Sequence, residues 1–384
     1  MCIQSIMSLE KSRKFIKLSP INGNNKGDLI ISLCIEGLLK ELSIDVHSFD
    51  ISFRDIDSYK KNVGKPSIRN RISFLLQTRF PWFFYQIKKM LFVFGGDFKK
   101  FESVVQSYDG VIIGGGNLLM SNMGCDYAYR TQKFLSSKYC KEGYVLCCGA
   151  GPFEFEQKKL IKNVLTFAKK VSVRDETSLK YFKSCDSGVN IIPDPVFCLS
   201  DFVIQEDKQL KRYIGVNVIA NYFSKSELKK FADEIITLSQ SKNMDIKIIN
   251  TAFPNDEQQA DELVNIISNS SEVRINVVNI GSEPQSVYDA YSDVKYFIGC
   301  RMHSIIFSLS LGIPALGFKW DDKVEGAFGE FFKYTEFQAS DFTISKSDMD
   351  VVEKFSSISG LNIDEQVASI KERIKSDLAS LFNE

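Results

Sequence analysis

The sequence predicts an α/β protein built from two doubly wound domains that meet at a cleft. Short apolar, strand-like runs alternate with longer segments of helical period, which is the pattern of parallel βαβ units. The chain has 384 residues, 44% of them hydrophobic, so it is long enough for two domains that each bury a core. Glycine-rich loops follow several of the strand-like runs, at the sheet edge where such folds bind ligands.

The first series of elements predicts an N-terminal domain over residues 1–205. It begins with the strand-like "KFIKLSP", a Gly/Asn loop and the helical "LIISLCIEGLLKEL". The strand-like runs that follow are "YDGVIIGGG", "EGYVLCCGAGP", "KKVSVRD" and "VNIIPDPVFCL".

A charged connector, "SDFVIQEDKQLKR", separates this series from a second one, which predicts a C-terminal domain over residues 206–363. The strand-like runs here are "YIGVNVI", "DIKIINTAF", "VRINVVNI", "VKYFIGC" and "IPALGF". Segments of helical period lie between them, near 226–241, 256–268, 284–292 and 303–311. A last helical segment, within 364–384, is free to pack back across the first domain.

Composition argues against several classes of protein. The formal net charge is +0 with a pI of about 6.8, so we expect no nucleic-acid partner. The nine cysteines form no CxxC pair and two histidines cannot complete a typical zinc set, so we predict no metal site. We also expect no resident cofactor. The sequence has no signal-peptide pattern and no apolar run of the roughly 20 residues that a membrane span needs. We therefore expect a cytoplasmic protein.

Residues 60–100 differ from the rest of the chain. They contain ten lysines and arginines against one acid, Asp97, a local charge of +9. Aromatic runs such as "FPWFFYQIKKMLFVF" lie among these charges. A basic and aromatic stretch suits the headgroup layer of an anionic membrane, so peripheral contact with such a membrane is one hypothesis. The other is a helical insertion whose aromatic side chains face the core.

Three glycine loops mark predicted strand ends. "NGNNKGD", at 22–28, lies between the first strand and its helix, where backbone amides can receive an anion or a polar ligand. It lacks the ending of a Walker loop and the spacing of the dinucleotide fingerprint, so Asp28 could equally be a helix cap. "GGGNLL", at 114–119, and "GAGP", at 149–152, allow close approach of the backbone to a ligand or simply tight turns.

His303 lies where a predicted buried strand, "VKYFIGC", meets a predicted helix, "SIIFSLSLG". The helix ends at Gly312, with Pro314 just beyond it. Arg301 and His303 are thus expected at the positive end of a helix dipole, where a guanidinium, an imidazole and free amides can bind a carboxylate or a phosphate. The alternative is a structural histidine.

Two more cations follow predicted strands. Arg174 ends the strand of "VSVRD", and Asp175 can cap the next helix, although the two could also form a surface ion pair. Lys323, in "KWDDKVEG", could add positive charge to the same cleft or simply be solvated beside two aspartates.

Six motifs in this chain resemble those of the polysaccharide pyruvyl transferase family. They run in order from about residue 20 to residue 332: "NKGD", "GGGNLL", "GAGP", "VSVRDETS", "PDPVF", and "RMHSIIFSLSLGIPALGF" followed by "DDK". The resemblance implies two Rossmann-like domains in a GT-B-like arrangement. It also implies transfer of pyruvate from phosphoenolpyruvate to two hydroxyls of one sugar as a cyclic ketal. Such sugars belong to capsules, exopolysaccharides, O-antigens or cell-wall polymers.

The resemblance also assigns roles to residues. The C-terminal domain is expected to bind phosphoenolpyruvate, with Arg301 and Arg174 holding the donor, His303 moving the proton and Lys323 adding charge. The N-terminal domain is expected to face a sugar acceptor carried on a lipid or a nucleotide, with Asp28 assisting the attacking hydroxyl. The acceptor-facing residues on this side are Asn25, Gly27, Gly115, Gly116 and Asn117.

Two other functions fit the same fold. A nucleotide-sugar-dependent glycosyltransferase would use the same cleft for a diphosphate, and a non-catalytic protein of polysaccharide assembly would use it for binding alone. Two features depart from the family pattern. Residues 60–100 match no motif, and Trp320 stands where a smaller aromatic residue is expected.

Overall fold

Two six-stranded parallel sheets organise the chain. The computed structural model describes residues 13–23, 25–53, 76–122, 125–185, 188–206 and 210–383. The basic segment 54–75, which includes much of the 60–100 stretch, therefore lies outside the described residues.

The N-terminal half forms the first sheet, in the order β2-β1-β3-β5-β7-β8. Its central strands are apolar and fully buried, as expected where helices cover both faces of a parallel sheet. A short parallel pair, β4 and β6, lies apart from it. The strands are β1 Lys14–Ser19, β2 Asp45–Asp50, β3 Gly110–Gly114, β4 Leu119–Ser121, β5 Gly143–Cys148, β6 Ala150–Phe153, β7 Lys170–Val173 and β8 Asn190–Ile191.

The helices of this half flank the sheet. They are α1 Lys26–Glu41, α2 Pro81–Phe94, α3 Asp97–Val105, α4 Tyr127–Leu135, α5 Gln157–Phe167 and α6 Glu176–Leu179, with 3-10 turns at Lys180–Cys185 and Pro195–Asp201.

The C-terminal half forms the second sheet, in the order β11-β10-β9-β12-β13-β14, the strand order of the dinucleotide-binding fold. Its strands are β9 Tyr213–Asn217, β10 Asp245–Asn250, β11 Ile275–Asn279, β12 Val294–Gly299, β13 Ala315–Phe318 and β14 Thr343–Ile344. Its helices are α7 Lys225–Lys242, α8 Glu257–Ser270, α9 Pro284–Tyr291, α10 Met302–Ser310, α11 Asp322–Phe331, α12 Val351–Lys354 and α13 Asp364–Asn383, with 3-10 turns at Ala339–Asp341 and Phe355–Ser357.

Local sequence explains where these helices start and end. Helix α7 begins at a capping box, in which Ser224 accepts from the Glu227 amide and Glu227 accepts from the Ser224 amide, and it ends at Asn243 in the left-handed region. Helix α10 begins directly after Arg301. The two parallel sheets confirm the predicted class of two doubly wound α/β domains.

Along the described ranges the chain passes between the two sheets twice. The first passage follows the 3-10 turn that ends at Asp201, and the predicted boundary at residue 205 falls within it. The second is α13, which returns to the first domain. Its Lys375 pairs with Glu41 at 3.2 Å and with Asp201 at 2.9 Å, and Phe382 packs on the ring of Tyr144. Helix α13 thus spans both domains.

Candidate active site

A cavity of about 410 Å³ lies between the domains, at the carboxyl ends of both sheets. Loops after β1, β2, β3 and β7 line its N-terminal side, and loops after β12 and β13 line the other. This is the edge at which parallel sheets bind ligands. Of the predicted site residues, seven line the cavity: Asn25, Asp28, Asn117, Arg174, Arg301, His303 and Lys323.

Arg301 is held by an acid that the sequence interpretation missed. Its Nε and one terminal nitrogen each donate to Asp256, both at 2.8 Å, and Asp256 is fully buried. Asn217 accepts from the Arg301 amide at 3.0 Å, which fixes the backbone at the same point. Two of the five guanidinium N–H donors serve Asp256, so the others are available to a ligand in the cavity.

Arg174 approaches the same space from the N-terminal domain. Its Nε donates to Asp175 at 3.2 Å, and a terminal nitrogen donates to Asp194 at 3.5 Å. Asp175 also caps α6, accepting from the Ser178 amide at 2.6 Å, as predicted for a cap at this position. These carboxylates surround a buried guanidinium, so Arg174 has a fixed orientation toward the cavity.

His303 is buried at the junction of the two domains. Its Nε2 lies 3.8 Å from Asp194 and has no hydrogen-bond partner among the described residues. On its other side the imidazole contacts Gly27, where an added Cβ would lie 2.2 Å from Nδ1. Burial lowers the pKa of His303 well below 6.5, and the charges of Arg174, Arg301 and Lys323 lower it further. The imidazole is therefore neutral at pH 7.

Asp28 faces this group from the first turn of α1. Asn25 caps the helix by accepting from the Gly27 amide at 3.2 Å, and its side-chain amide donates to Asp28 at 3.1 Å. Asp28 is therefore not the helix cap. Burial raises the pKa of Asp28 to about 6, with the Arg174 guanidinium opposing the shift and Asp194 adding to it. Such a carboxyl can exchange a proton close to neutral pH.

The glycines of the 114–117 loop support the site but do not line the cavity. Gly115 and Gly116 have positive φ values of 77° and 72°, which glycine adopts without strain. They do not line the cavity, whereas Asn117 does. A Cβ on Gly116 would lie 3.2 Å from Asp28, so the missing side chain leaves room for that carboxylate.

Two residues that follow β13 complete the C-terminal wall. Lys323 pairs with Asp321 at 3.3 Å and still borders the cavity. Trp320, the departure from the family pattern, is partly exposed at the cavity and donates from Nε1 to the Cys300 carbonyl at 2.5 Å.

A further polar region of the cavity was not predicted. Arg130 is buried and paired with Asp126 at 2.9 Å, and Tyr127 lies beside them. Asn22 and Ser52 each have a buried side-chain atom without a partner among the described residues, and both line the cavity. These groups come from loops after β1 and β2 and from α4. Their wide separation in sequence left no motif that could have identified them together.

The sequence comparison decides the family. A profile of the polysaccharide pyruvyl transferase family matches residues 25–322, which is most of the chain and includes every predicted site residue except Lys323. The chain belongs to the polysaccharide pyruvyl transferase family. Membership of this pyruvyl transferase family implies a transferase that acts in polysaccharide pyruvylation. A comparison with curated proteins gave no significant match.

Solved structures share the fold of this pyruvyl transferase family member at low sequence identity. The UDP-GlcNAc 2-epimerase of Methanocaldococcus jannaschii, in complex with UDP-GlcNAc and UDP, has a TM-score of 0.56 and 11% identity and covers 96% of this chain and 99% of its own. The enzyme of Neisseria meningitidis bound to UDP-GlcNAc has a TM-score of 0.53 and 11% identity, over 97% and 99% of the two chains. These similarities confirm the predicted GT-B-like arrangement of two Rossmann-like domains.

The described residues of this transferase contain neither a metal-binding cluster nor a membrane-spanning helix. Among the described residues, no group of three or more His, Cys, Asp or Glu side chains could hold a metal ion. No helix in the described ranges has the length and apolar character needed to cross a bilayer.

Proposed function

We propose that the protein transfers pyruvate from phosphoenolpyruvate to two hydroxyls of one sugar as a cyclic ketal, with release of phosphate, during synthesis of a surface polysaccharide. The observation that carries this proposal is the convergence of Arg174, Arg301 and Lys323 around a neutral, buried His303 in one cavity. A small donor with both a carboxylate and a phosphate needs several cations, and guanidinium groups bind both anions with paired hydrogen bonds.

Binding of the donor would prepare His303 for proton transfer. In the free protein three cations and burial keep the imidazole neutral. The negative charges of phosphoenolpyruvate would offset those cations, so the pKa of His303 would rise when the donor binds. The imidazolium would then protonate the methylene carbon of the enol phosphate, and such a step requires an acid close to that carbon.

Asp28 is proposed as the base for the attacking hydroxyl. It lies across the cavity from the C-terminal wall and has a pKa of about 6, so it is largely ionised at pH 7. The neighbouring polar side chains of Asn22, Ser52 and Arg130 would hold the other hydroxyls of the sugar. The N-terminal domain is accordingly the proposed acceptor side.

The atoms of this reaction balance. The first hydroxyl oxygen bonds to the central carbon of phosphoenolpyruvate while the methylene becomes a methyl group. The carbon–oxygen bond to phosphate then breaks, and the second hydroxyl oxygen closes the ketal. The two hydroxyls lose two protons; one ends on the methyl group and the other leaves with phosphate. Every step uses side chains of this chain, so the proposal includes no resident cofactor.

Calorimetric titration tests the donor. Phosphoenolpyruvate should bind saturably to the wild-type protein, and Arg301→Lys should weaken binding about ten-fold or more, because a charge-assisted, paired hydrogen bond is lost. Arg373→Lys is the matched control, since Arg373 of α13 pairs with Glu330 of α11 and does not line the cavity. Phosphate release in the presence of candidate sugars then tests turnover.

The same titration separates the alternative functions. A nucleotide-sugar-dependent glycosyltransferase is favoured by one observation, the fold shared with epimerases bound to UDP-GlcNAc. UDP-, GDP- and CMP-sugars are therefore titrated in parallel. Binding of a nucleotide sugar without binding of phosphoenolpyruvate would overturn the proposed donor. Binding of phosphoenolpyruvate without turnover on any acceptor would favour a non-catalytic protein of polysaccharide assembly.

A further inference from the structure

Helix α2 exposes an apolar surface on one side while its other side packs in the N-terminal domain. Phe84, Tyr85 and Phe92 are buried, and the Tyr85 hydroxyl donates to Glu156 at 3.1 Å. Lys89 pairs with the same Glu156 at 2.6 Å. The helix is therefore firmly attached, and the direction of its exposed side is fixed by these contacts.

The exposed side carries an unusual concentration of large apolar side chains. Trp82 is 58% exposed and Phe94 is 79% exposed. Contiguous apolar surface of this kind marks an interaction site, whereas single exposed apolar residues are ordinary. The side chains that form this surface, called here the α2 face, are Phe80, Trp82, Phe83, Met90, Leu91 and Phe94.

Charge around the α2 face identifies the partner. Residues 76–100 contain five basic residues against one acid in a chain whose total charge is +0, and one of the five, Lys89, is paired with Glu156. Arg79 precedes the helix, Lys88 lies on it, and Lys99 follows on α3. An apolar helix face bordered by lysines, with a tryptophan and phenylalanines at one end, matches the layer where anionic headgroups meet acyl chains.

The α2 face also reaches the active-site cavity. Leu91 belongs to the exposed face and lines the cavity, and Lys88, one turn earlier, lines it as well. A lipid on the α2 face would therefore lie next to the opening that admits the acceptor. A sugar attached to that lipid could enter the cavity while its apolar part stayed outside.

We propose that the α2 face docks on the surface of an anionic lipid bilayer and that the acceptor sugar is presented there on a lipid carrier. The docking itself is independent of the reaction, whereas the lipid-borne acceptor rests on the proposed pyruvyl transfer. The basic residues attract the protein to the anionic surface, and the apolar side chains enter the headgroup layer.

Sedimentation with vesicles tests the docking without any substrate. The vesicles contain equal parts of phosphatidylcholine and phosphatidylglycerol, and pure phosphatidylcholine vesicles serve for comparison. Wild-type protein should bind the anionic vesicles at about 0.1 M salt and much less at about 1 M, where the screening length falls from about 10 Å to about 3 Å. The double variant Trp82→Ser, Phe94→Ser should bind at least about ten-fold more weakly, because two large apolar side chains no longer enter the headgroup layer.

A control variant replaces two exposed apolar side chains outside the α2 face by serine. Phe167 is 46% exposed at the end of α5 and Val352 is 40% exposed on α12, so Phe167→Ser, Val352→Ser should leave vesicle binding unchanged. Absence of binding to anionic vesicles at low salt, or equal loss in both double variants, would overturn the proposal. So would a wild-type dimer that the α2 variant converts to monomer without any vesicle binding, since the face would then be an interface between copies.

Activity then tests the acceptor. The α2 variant should lose turnover on a lipid-linked sugar in vesicles and retain it on the same sugar in solution. Equal loss on both sugars would refute the lipid-borne acceptor. Phosphoenolpyruvate binding, measured without vesicles, should be unchanged in this variant. The two experiments can therefore fail independently. Failure of the donor titration would contradict the proposed donor, and failure of vesicle binding would contradict the docking of the α2 face.

Discussion

Replacement of Gly27 by alanine tests how closely the two domains must approach at the active site. Gly27 is the second residue of α1, and alanine is favoured over glycine within a helix by about 0.5–1 kcal/mol. The helix itself should therefore tolerate the change. The added Cβ, however, would lie 2.2 Å from Nδ1 of His303 and 2.5 Å from its Cγ, across the domain boundary.

The size of the effect follows from these distances. Ordinary contacts of a Cβ atom begin near 3.4 Å, so the imidazole or the start of α1 must move by about 1 Å. A displacement of this size can reduce a rate about 100-fold, since the reacting atoms lose their alignment. We therefore expect Gly27→Ala to lower kcat about 100-fold in a protein that still folds, with a loss of stability of about 1–3 kcal/mol from the added contact.

Phosphate release from phosphoenolpyruvate, in the presence of acceptor, measures kcat, and thermal unfolding measures stability. Gly329→Ala is the matched control because, apart from the local backbone of α11, no atom of the described residues lies within 4 Å of the added Cβ. The clash could also be relieved by separation of the domains, which would break the 2.9 Å hydrogen bond from the Lys26 amide to the Thr251 carbonyl. Faster hydrogen exchange at Lys26 would detect that separation. A folded Gly27→Ala protein with the wild-type rate and wild-type exchange would refute the close approach of Gly27 to His303.

Two further predictions concern protons. Because the pKa of Asp28 is raised from 3.8 to about 6, the folded state favours the protonated carboxyl, and the wild type loses stability as pH rises through that interval. Asp28→Asn should therefore raise the free energy of unfolding, measured with urea, by up to about 3 kcal/mol at about pH 8 and not at about pH 3; an equal gain at both would contradict the shift. Phosphoenolpyruvate binding near pH 7 should take up a proton at His303, seen by calorimetry in buffers of different ionisation enthalpy, and His303→Gln should abolish the uptake. Persistence of the full uptake in that variant would assign the proton to another group.

The sequence predicts the functional side chains at the strand ends better than it predicts the residues that hold those side chains in place. Arg301 and His303 follow from one local pattern, a buried strand that turns directly into an apolar helix. Asp256 binds Arg301 from a different loop, 45 residues earlier, and nothing in "FPNDEQQ" distinguishes a buried ion pair from a solvated helix start. Asp194 lies within the quoted "PDPVF", but its proximity to His303 depends on the contact between domains.

The 60–100 stretch illustrates a second limit. Its composition supports both hypotheses made for it, and the described part of the stretch has a buried side and an exposed side. Phe84 and Phe92 pack inward as an inserted helix requires, while Trp82 and Phe94 are exposed. Helical period alone cannot show which side of the helix is buried when both sides are apolar. Which side packs inward depends on partners such as Glu156 and Phe134, which come from distant segments.

The position of Asp201 limits how the cleft can change width. Lys371 and Lys375 of α13 both pair with Asp201, so the two chain passages between the domains lie side by side. Two domains connected by two neighbouring passages can rotate about the line through those passages without straining either connection. Any change of cleft width that kept these ion pairs would therefore be a rotation about the line through the two passages.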